Sequence, residues 1–478
     1  MSETSLKSYI NGQWVLPKTS TAVFDAINPA TEQVAAHVAL CGPDDVDAAV
    51  AAARAAFPAY GSLPLEARIG LMERLVAIYM RRFEEMARAI STEMGAPYDL
   101  AFNAQAECGP GHLNETVRAA REFDWEHQLG THAKLVHEPI GVAVCITPWN
   151  WPINQIATKV GPALLAGCTV ILKPSEIAPL SAQLFAECVD EAGYPAGVFN
   201  MIHGTGAAIG DALTSHPDVD MVSFTGSTRA GVQIAKSAAD TVKRVSQELG
   251  GKSANIIFDD EALERAVKGG IRHCFQNSGQ SCNAPTRMLV EASAYERAVA
   301  IAKKVADQVT LGDPKDSGNH MGPVVSRVHY DKIQGLIKVG IDEGAEPIVG
   351  GPGKPAGFET GYYVRPTVFA NVNNNMTIAR EEVFGPVLVM IPFADEADAI
   401  RIANDTPYGL AGYVQSVDTA RAQRVAGQIR AGSVYINGAG QDYCAPFGGY
   451  KQSGNGREYS AFGLQDFLEL KVINGFFG

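Results

Sequence analysis

From Val142 onward the chain alternates short β-rich runs with stretches of helical periodicity, a pattern that leaves few folds open. Residues 142–146, 168–172, 198–202 and 219–224 form the runs, and apolar residues recur at helical spacing after each. A strand whose chain returns through a helix re-enters the sheet in parallel, so the pattern predicts a mostly parallel, doubly wound α/β sheet. It resumes beyond Glu248, with strands expected near residues 255–258, 287–290, 387–391 and 433–436. A second α/β unit is therefore expected. Ahead of both, residues 48–57 and 65–94 carry helical periodicity, and Asp44 and Asp45 are placed to cap the first helix.

The 478 residues suffice for about three domains at ~150 residues each. With 39 Lys plus Arg against 52 Asp plus Glu, the net charge is −13, which argues against nucleic acid or an anionic membrane as the main partner. Eight cysteines include no Cys-x-x-Cys pair and no Cys/His cluster at ligand spacing, so neither metal nor disulfide is expected. Residues 1–7 lack a charged region followed by an apolar stretch, and no segment approaches the ~20 apolar residues a bilayer requires. The reducing cytoplasm is the expected compartment.

Three residues have side chains suited to carbonyl chemistry. Cys282 lies in Asn277-Ser278-Gly279-Gln280-Ser281-Cys282, a Gly- and Gln-rich loop, whereas cysteines such as Cys145 and Cys168 have apolar neighbours. A thiolate adds to a carbonyl, and the thioester formed on oxidation remains hydrolysable. Glu248, in Glu248-Leu249-Gly250-Gly251-Lys252, stands where a strand ends, a position suited to a general base or to an ordinary solvated glutamate. Asn150, in Thr147-Pro148-Trp149-Asn150-Trp151-Pro152, suits either an oxyanion donor or the cap of a helix starting near Pro152. The glycines of residues 204–210 approximate a dinucleotide fingerprint with one residue too many.

Together with Phe224-Thr225-Gly226-Ser227-Thr228 and Glu381-Glu382-Val383-Phe384-Gly385-Pro386, these runs resemble the aldehyde dehydrogenase superfamily over nearly the whole chain. The resemblance implies two doubly wound, mostly parallel-sheet domains plus a small β oligomerisation arm. Residues 1–120 and 141–248 would form the NAD-binding domain, 249–445 the catalytic domain, and 121–140 with 460–478 the arm, giving a homodimer or homotetramer. It also implies Cys282 as nucleophile, Glu248 as base for thioester hydrolysis and Asn150 as oxyanion donor. The implied cofactor is NAD. Its contacts would be Ile146, Trp149, Lys173, Glu176, Gly206, Phe224, Gly226, Ser227, Leu249, Glu382 and Phe384. Lys173 and Glu176 would take the adenosine ribose, where a carboxylate repels a 2′-phosphate, so NAD is favoured over NADP. Gly226 and Ser227 would take phosphate. Trp151, Gln155, Ser281, Asn283 and residues 443–447 are candidate walls of the substrate tunnel, and Trp151 and Phe447 favour an apolar or aromatic aldehyde. Members that acylate coenzyme A commonly lack the glutamate, so Glu248 favours a free acid as product. A coenzyme A-acylating semialdehyde dehydrogenase and a structural or binding protein of the same fold are the alternatives.

Overall fold

The structure, a computed structural model, describes residues 5–477. Two seven-stranded sheets organise it. The first runs Arg244–Glu248, Met221–Thr225, Val142–Ile146, Thr169–Lys173, Phe199–Met201, Ser8–Ile10, Gln13–Val15. Its first five strands are parallel, and Ser8–Ile10 is antiparallel to both of its neighbours. The second runs Glu346–Val349, Thr367–Ala370, Val387–Phe393, Arg287–Glu291, Ala254–Ile257, Ala411–Gln415, Ser433–Ile436, and only its first strand is antiparallel.

Both sheets are covered on both faces. Along Val142–Ile146, Ala143 and Cys145 enter one core while Val142, Val144 and Ile146 enter the other. In the second sheet Leu289 and Met288 divide in the same way. Period-two side chains on a doubly covered strand are all apolar, and each fully buried aliphatic contributes roughly 1.5–3 kcal/mol. The doubly wound α/β expectation therefore holds for both sheets.

Several local expectations are corrected. The helical periodicity of residues 65–94 is divided between Leu65–Arg81 and Phe83–Met94. Arg82 leaves helical geometry at the break, and its guanidinium bridges Glu85 and Glu187. The first helix starts at Pro43, so Asp44 lies inside it; Asp45 accepts from the Gly42 N–H at 3.0 Å, the reach-back half of a capping box. Within the segments expected to form the arm, Ser460–Asp466 is helical, and Leu468–Asn474 is a strand beside Ala133–Pro139, which pairs with Glu126–Leu129. Residues 1–4 and Gly478, the end of the expected arm, lie outside the described residues.

Candidate active site

Parallel strands all point their carboxyl ends the same way, and loops leaving those ends form the crevice of such sheets. Ile146, Lys173 and Glu248 each end a strand there, and Phe224 comes one residue before the end of another. Register pairs Ile146 with Lys173, Phe224 with Ile146, and Thr225 with Glu248.

The loop carrying Cys282 approaches this crevice in an unusual conformation. Past the helix Leu263–Phe275, Asn277, Ser278 and Gly279 all adopt left-handed backbone geometry, with φ of 54°, 56° and 74°. A non-glycine residue held there costs about 1–3 kcal/mol. Glycine is required at 279, because a Cβ would sit 2.0 Å from the Gly385 carbonyl oxygen. Hydrogen bonds offset the strain. Asn277 Oδ1 accepts from Gln105 Nε2 at 2.9 Å, its Nδ2 donates to the Asn150 carbonyl at 2.9 Å, and Ser278 Oγ donates to the Gly322 carbonyl at 2.8 Å. Gln280 Oε1 accepts the Val325 N–H at 2.9 Å.

Asn150 is buried and does not cap the helix Pro152–Ala166, whose N-cap is Trp151. Its Nδ2 donates instead to the Gln280 carbonyl at 3.0 Å, two residues before Cys282. Cys282 is half-buried against Leu410, Phe447 and Tyr459. Burial, then Glu382 and Glu248, hold its thiol well above the ordinary range, whereas Cys145, Cys168 and Cys274 are core thiols pushed up to about 12 by burial. Among the expected tunnel walls, Trp151 Nε1 donates to Ser281 Oγ at 2.9 Å, Asn283 accepts from the Tyr413 hydroxyl, and Phe447 stacks on Tyr459. Tyr443 packs edge-on against His112, and Gln155 is buried with no partner for its Oε1 among the described residues.

Glu248 is buried, and neither of its carboxylate oxygens has a hydrogen-bond partner among the described residues. Burial first, and then Glu458, raise its pKa well above the carboxylate range, while Lys159 and Arg457 oppose the rise. Lys159 and Glu458 form a buried ion pair beside it, joined by Thr158 Oγ1 at 3.2 Å. Sequence reasoning missed this pair. The only available signal was a lysine within Pro152–Ala166, a helix buried along its whole length.

The expected cofactor residues divide into groups. Glu382 Oε1 accepts the Gly251 N–H at 2.9 Å, and Lys252 Nζ donates to the Glu381 carbonyl at 2.7 Å, so two motifs distant in sequence are tied together. Phe384 and Trp149 meet edge to face at 5.5 Å. Ile146, Phe224 and Leu249 share one core cluster. Lys173 Nζ is buried and donates to the Pro174 carbonyl at 3.1 Å and to Glu176 Oε2 at 3.5 Å. Gly226 and Ser227 precede the helix Thr228–Ala238, where Ser227 Oγ accepts from the Ala230 N–H at 3.3 Å. Gly206 is exposed at the start of Gly206–Ser215, and an added Cβ there would meet nothing within 4 Å.

Residues 14–473 match the model of the aldehyde dehydrogenase family. The chain belongs to that family. It is 51% identical over 471 residues to 3-succinoylsemialdehyde-pyridine dehydrogenase of a Pseudomonas species, covering 98% of each chain. The aldehyde dehydrogenase of Bartonella henselae superposes with a TM-score of 0.96 at 51% identity, over 98% of this chain and 99% of that one. A mutant aldehyde dehydrogenase C of Pseudomonas syringae, complexed with NAD+ and octanal, also gives 0.96, at 47% identity over 100% of this chain and 98% of that one. This aldehyde dehydrogenase thus has the fold, and belongs to the class of oxidoreductase, that its sequence motifs imply.

Proposed function

We propose that this aldehyde dehydrogenase oxidises an aldehyde to the free carboxylic acid with NAD as cofactor, Cys282 acting as nucleophile, Glu248 as base and Asn150 as oxyanion donor. The observation that carries the reading is the buried Glu248 side chain, neither of whose carboxyl oxygens has a hydrogen-bond partner among the described residues. A buried carboxylate with both acceptor positions free suits a general base that must take a proton from water.

The residues present fit NAD. The Lys173 ammonium has three N–H donors and two acceptors, so one donor remains, and Glu176 supplies a carboxylate beside it. A donor next to an acceptor suits vicinal ribose hydroxyls. The helix start at Gly226 and Ser227 suits a phosphate, Glu382 the second ribose and Phe384 the nicotinamide side. Ile146, Trp149, Leu249, Phe224 and Gly206 complete the cradle in this reading. When bound, NAD accepts the hydride released from the substrate carbon.

The chain's own groups do the rest. The Cys282 thiolate bonds to the aldehyde carbon, and the carbonyl oxygen becomes an oxyanion. Asn150 has two N–H groups; Gln280 takes one and orients the amide, leaving the other for that oxyanion. After oxidation Glu248 accepts a proton from water as the water attacks the thioester, and Cys282 leaves as thiolate. Asn150→Ala should slow acylation by about 10²–10³, read by rapid mixing. A loss under threefold in a folded variant would assign Asn150 to loop support alone.

Cofactor choice rests on Glu176. Replacing it by serine should raise the NADP to NAD ratio of kcat/KM, because one repulsive carboxylate and one hydroxyl acceptor disappear together. An unchanged ratio would remove Glu176 as selector.

In this reading residues 1–120 and 141–248 bind NAD, 249–445 form the catalytic domain, and 121–140 with 460–478 pair subunits into a homodimer or homotetramer. Exposed Leu129, Leu470, Val472 and Phe476 on or beside the three-stranded arm support that pairing. The compartment we propose is the reducing cytoplasm. The substrate class we propose is apolar or aromatic, in keeping with Trp151, Phe447 and Tyr459 near Cys282. The decisive test is NADH formation from a panel of aliphatic, aromatic and amino aldehydes, with and without coenzyme A. Turnover without coenzyme A is expected. A strict need for it would favour acyl transfer, and no turnover with any aldehyde would favour a structural role.

A further inference from the structure

The helix Pro152–Ala166 is buried along its whole length, yet its two faces meet different surroundings. Ile153, Ile156, Ala157 and Val160 pack into the core of the first sheet. The other face turns to the candidate active site. Trp151, its N-cap, donates to Ser281 Oγ at 2.9 Å, and Asn154 Oδ1 meets His112 Nε2 at 2.7 Å. Thr158 Oγ1 donates to Glu458 Oε2 at 3.2 Å, and Lys159 pairs with the same carboxylate. Gln155 belongs to this face, one turn beyond Trp151 and one turn before Lys159.

Its neighbours have protein partners, whereas Gln155 does not. The residue is 4% exposed, and its Oε1 has no hydrogen-bond partner among the described residues. Leaving such a group unpaired costs about 1–3 kcal/mol, so a partner from outside the chain gains what the fold leaves unmade.

The walls nearby indicate what carries that partner. Phe447 stacks on Tyr459 at 5.3 Å and 20°, and the Tyr459 and Tyr443 rings lie 4.3 and 4.7 Å from that of His112. Phe447 and Tyr459 share a cluster with Cys282. Ring faces of this kind suit an aromatic guest. Burial lowers the His112 pKa to about 4, which leaves the imidazole neutral, and Lys159 is held by Glu458. An amide beside engaged or uncharged groups matches a neutral partner. A hydroxyl both donates and accepts, so it satisfies either end of the amide. Four helical residues rise about 6 Å, and Trp151 is fixed to the residue before Cys282. That rise is comparable with the span of a benzene ring from an aldehyde carbon to a substituent across it.

We propose that Gln155 is a specificity residue, pairing its amide with a ring hydroxyl of the aldehyde, so that the preferred substrates are hydroxylated aromatic aldehydes. This rests on the reading that an aromatic aldehyde is oxidised at Cys282, and narrows it.

The test sets 3-hydroxybenzaldehyde against 3-methylbenzaldehyde, which has nearly the same shape without the hydroxyl. Gln155→Met keeps the length of the side chain and removes its amide. The ratio of kcat/KM for the hydroxy over the methyl aldehyde should fall about tenfold in this variant, the scale of one neutral hydrogen bond. Intrinsic reactivity cancels from the comparison of the two ratios. Gln155→Asn, which withdraws the amide by one methylene, should give an intermediate ratio. Equal loss on both aldehydes, the mark of a merely structural role, leaves the ratio unchanged and overturns the proposal. Calorimetric titration of the NAD-loaded parent with 3-hydroxybenzyl and 3-methylbenzyl alcohol reads the same contact without turnover. The hydroxy compound should bind about tenfold tighter, and equal affinities overturn the proposal. If no aldehyde were oxidised, the functional reading would fail, while a Gln155-dependent preference for the hydroxy alcohol would still uphold the contact and its absence would reject it.

Discussion

Replacing Cys282 by alanine should lower aldehyde oxidation by roughly 10⁴-fold or more, the scale of loss when an enzyme's nucleophile is deleted. NADH formation measures the loss, and NAD affinity, followed by fluorescence titration, should stay near normal. The fold should survive as well, because Cys282 is only half-buried and its sulfur is a small part of the contact with Leu410, Phe447 and Tyr459. Turnover within tenfold of the parent would take Cys282 out of the mechanism.

Glu248→Gln should cut steady-state turnover by about 10²–10⁴, the range for a positioned base, while sparing the first turnover. Rapid mixing should then show a burst of NADH followed by a slow phase. Equal loss of both phases would put Glu248 at an earlier step. The pH dependence has a definite sign. Burial and Glu458 raise the Glu248 pKa, so its carboxyl stays protonated past the usual carboxylate range, and if it is the proposed base parent deacylation should climb as pH rises. The glutamine variant should lose that rise. Stability moves the other way. A carboxyl whose pKa is raised in the folded state stabilises fully below its unfolded value and loses that contribution as pH rises. At neutral pH the glutamine variant should therefore melt no lower than the parent, and a clearly lower Tm would mean that the ionised carboxylate is well solvated in the fold.

The parallel strands were legible because burial on both faces makes them continuous apolar runs, as in Val142–Ile146. The antiparallel pairs Ser8–Ile10 with Gln13–Val15 and Val23–Ile27 with Val34–Ala39 were not, since they are short and partly exposed. Strands Thr367–Ala370 and Ala411–Gln415 also escaped notice; Thr367 shortens one apolar run, and Gly412 and Gln415 interrupt the other. In the candidate site, Cys282, Glu248 and Asn150 stood out because each lies in a compact motif. Lys159 and Glu458 did not. They are 299 residues apart, and only the folded chain brings the helix Pro152–Ala166 against the segment before Ser460–Asp466. The break at Arg82 depends in the same way on Glu187, far along the chain.

The left-handed run at Asn277, Ser278 and Gly279 bears on how such an enzyme can be redesigned. Its shape is held by Gln105, Gly322, Val325 and Gly385, none of which belongs to the loop. Grafted alone into another scaffold, residues 277–282 would relax toward ordinary backbone angles and carry the sulfur away from its working position. The loop is not a portable cassette. New substrate preference is better sought at Tyr443, which packs on His112 and not on the loop, than at Trp151, whose indole N–H holds Ser281 beside Cys282.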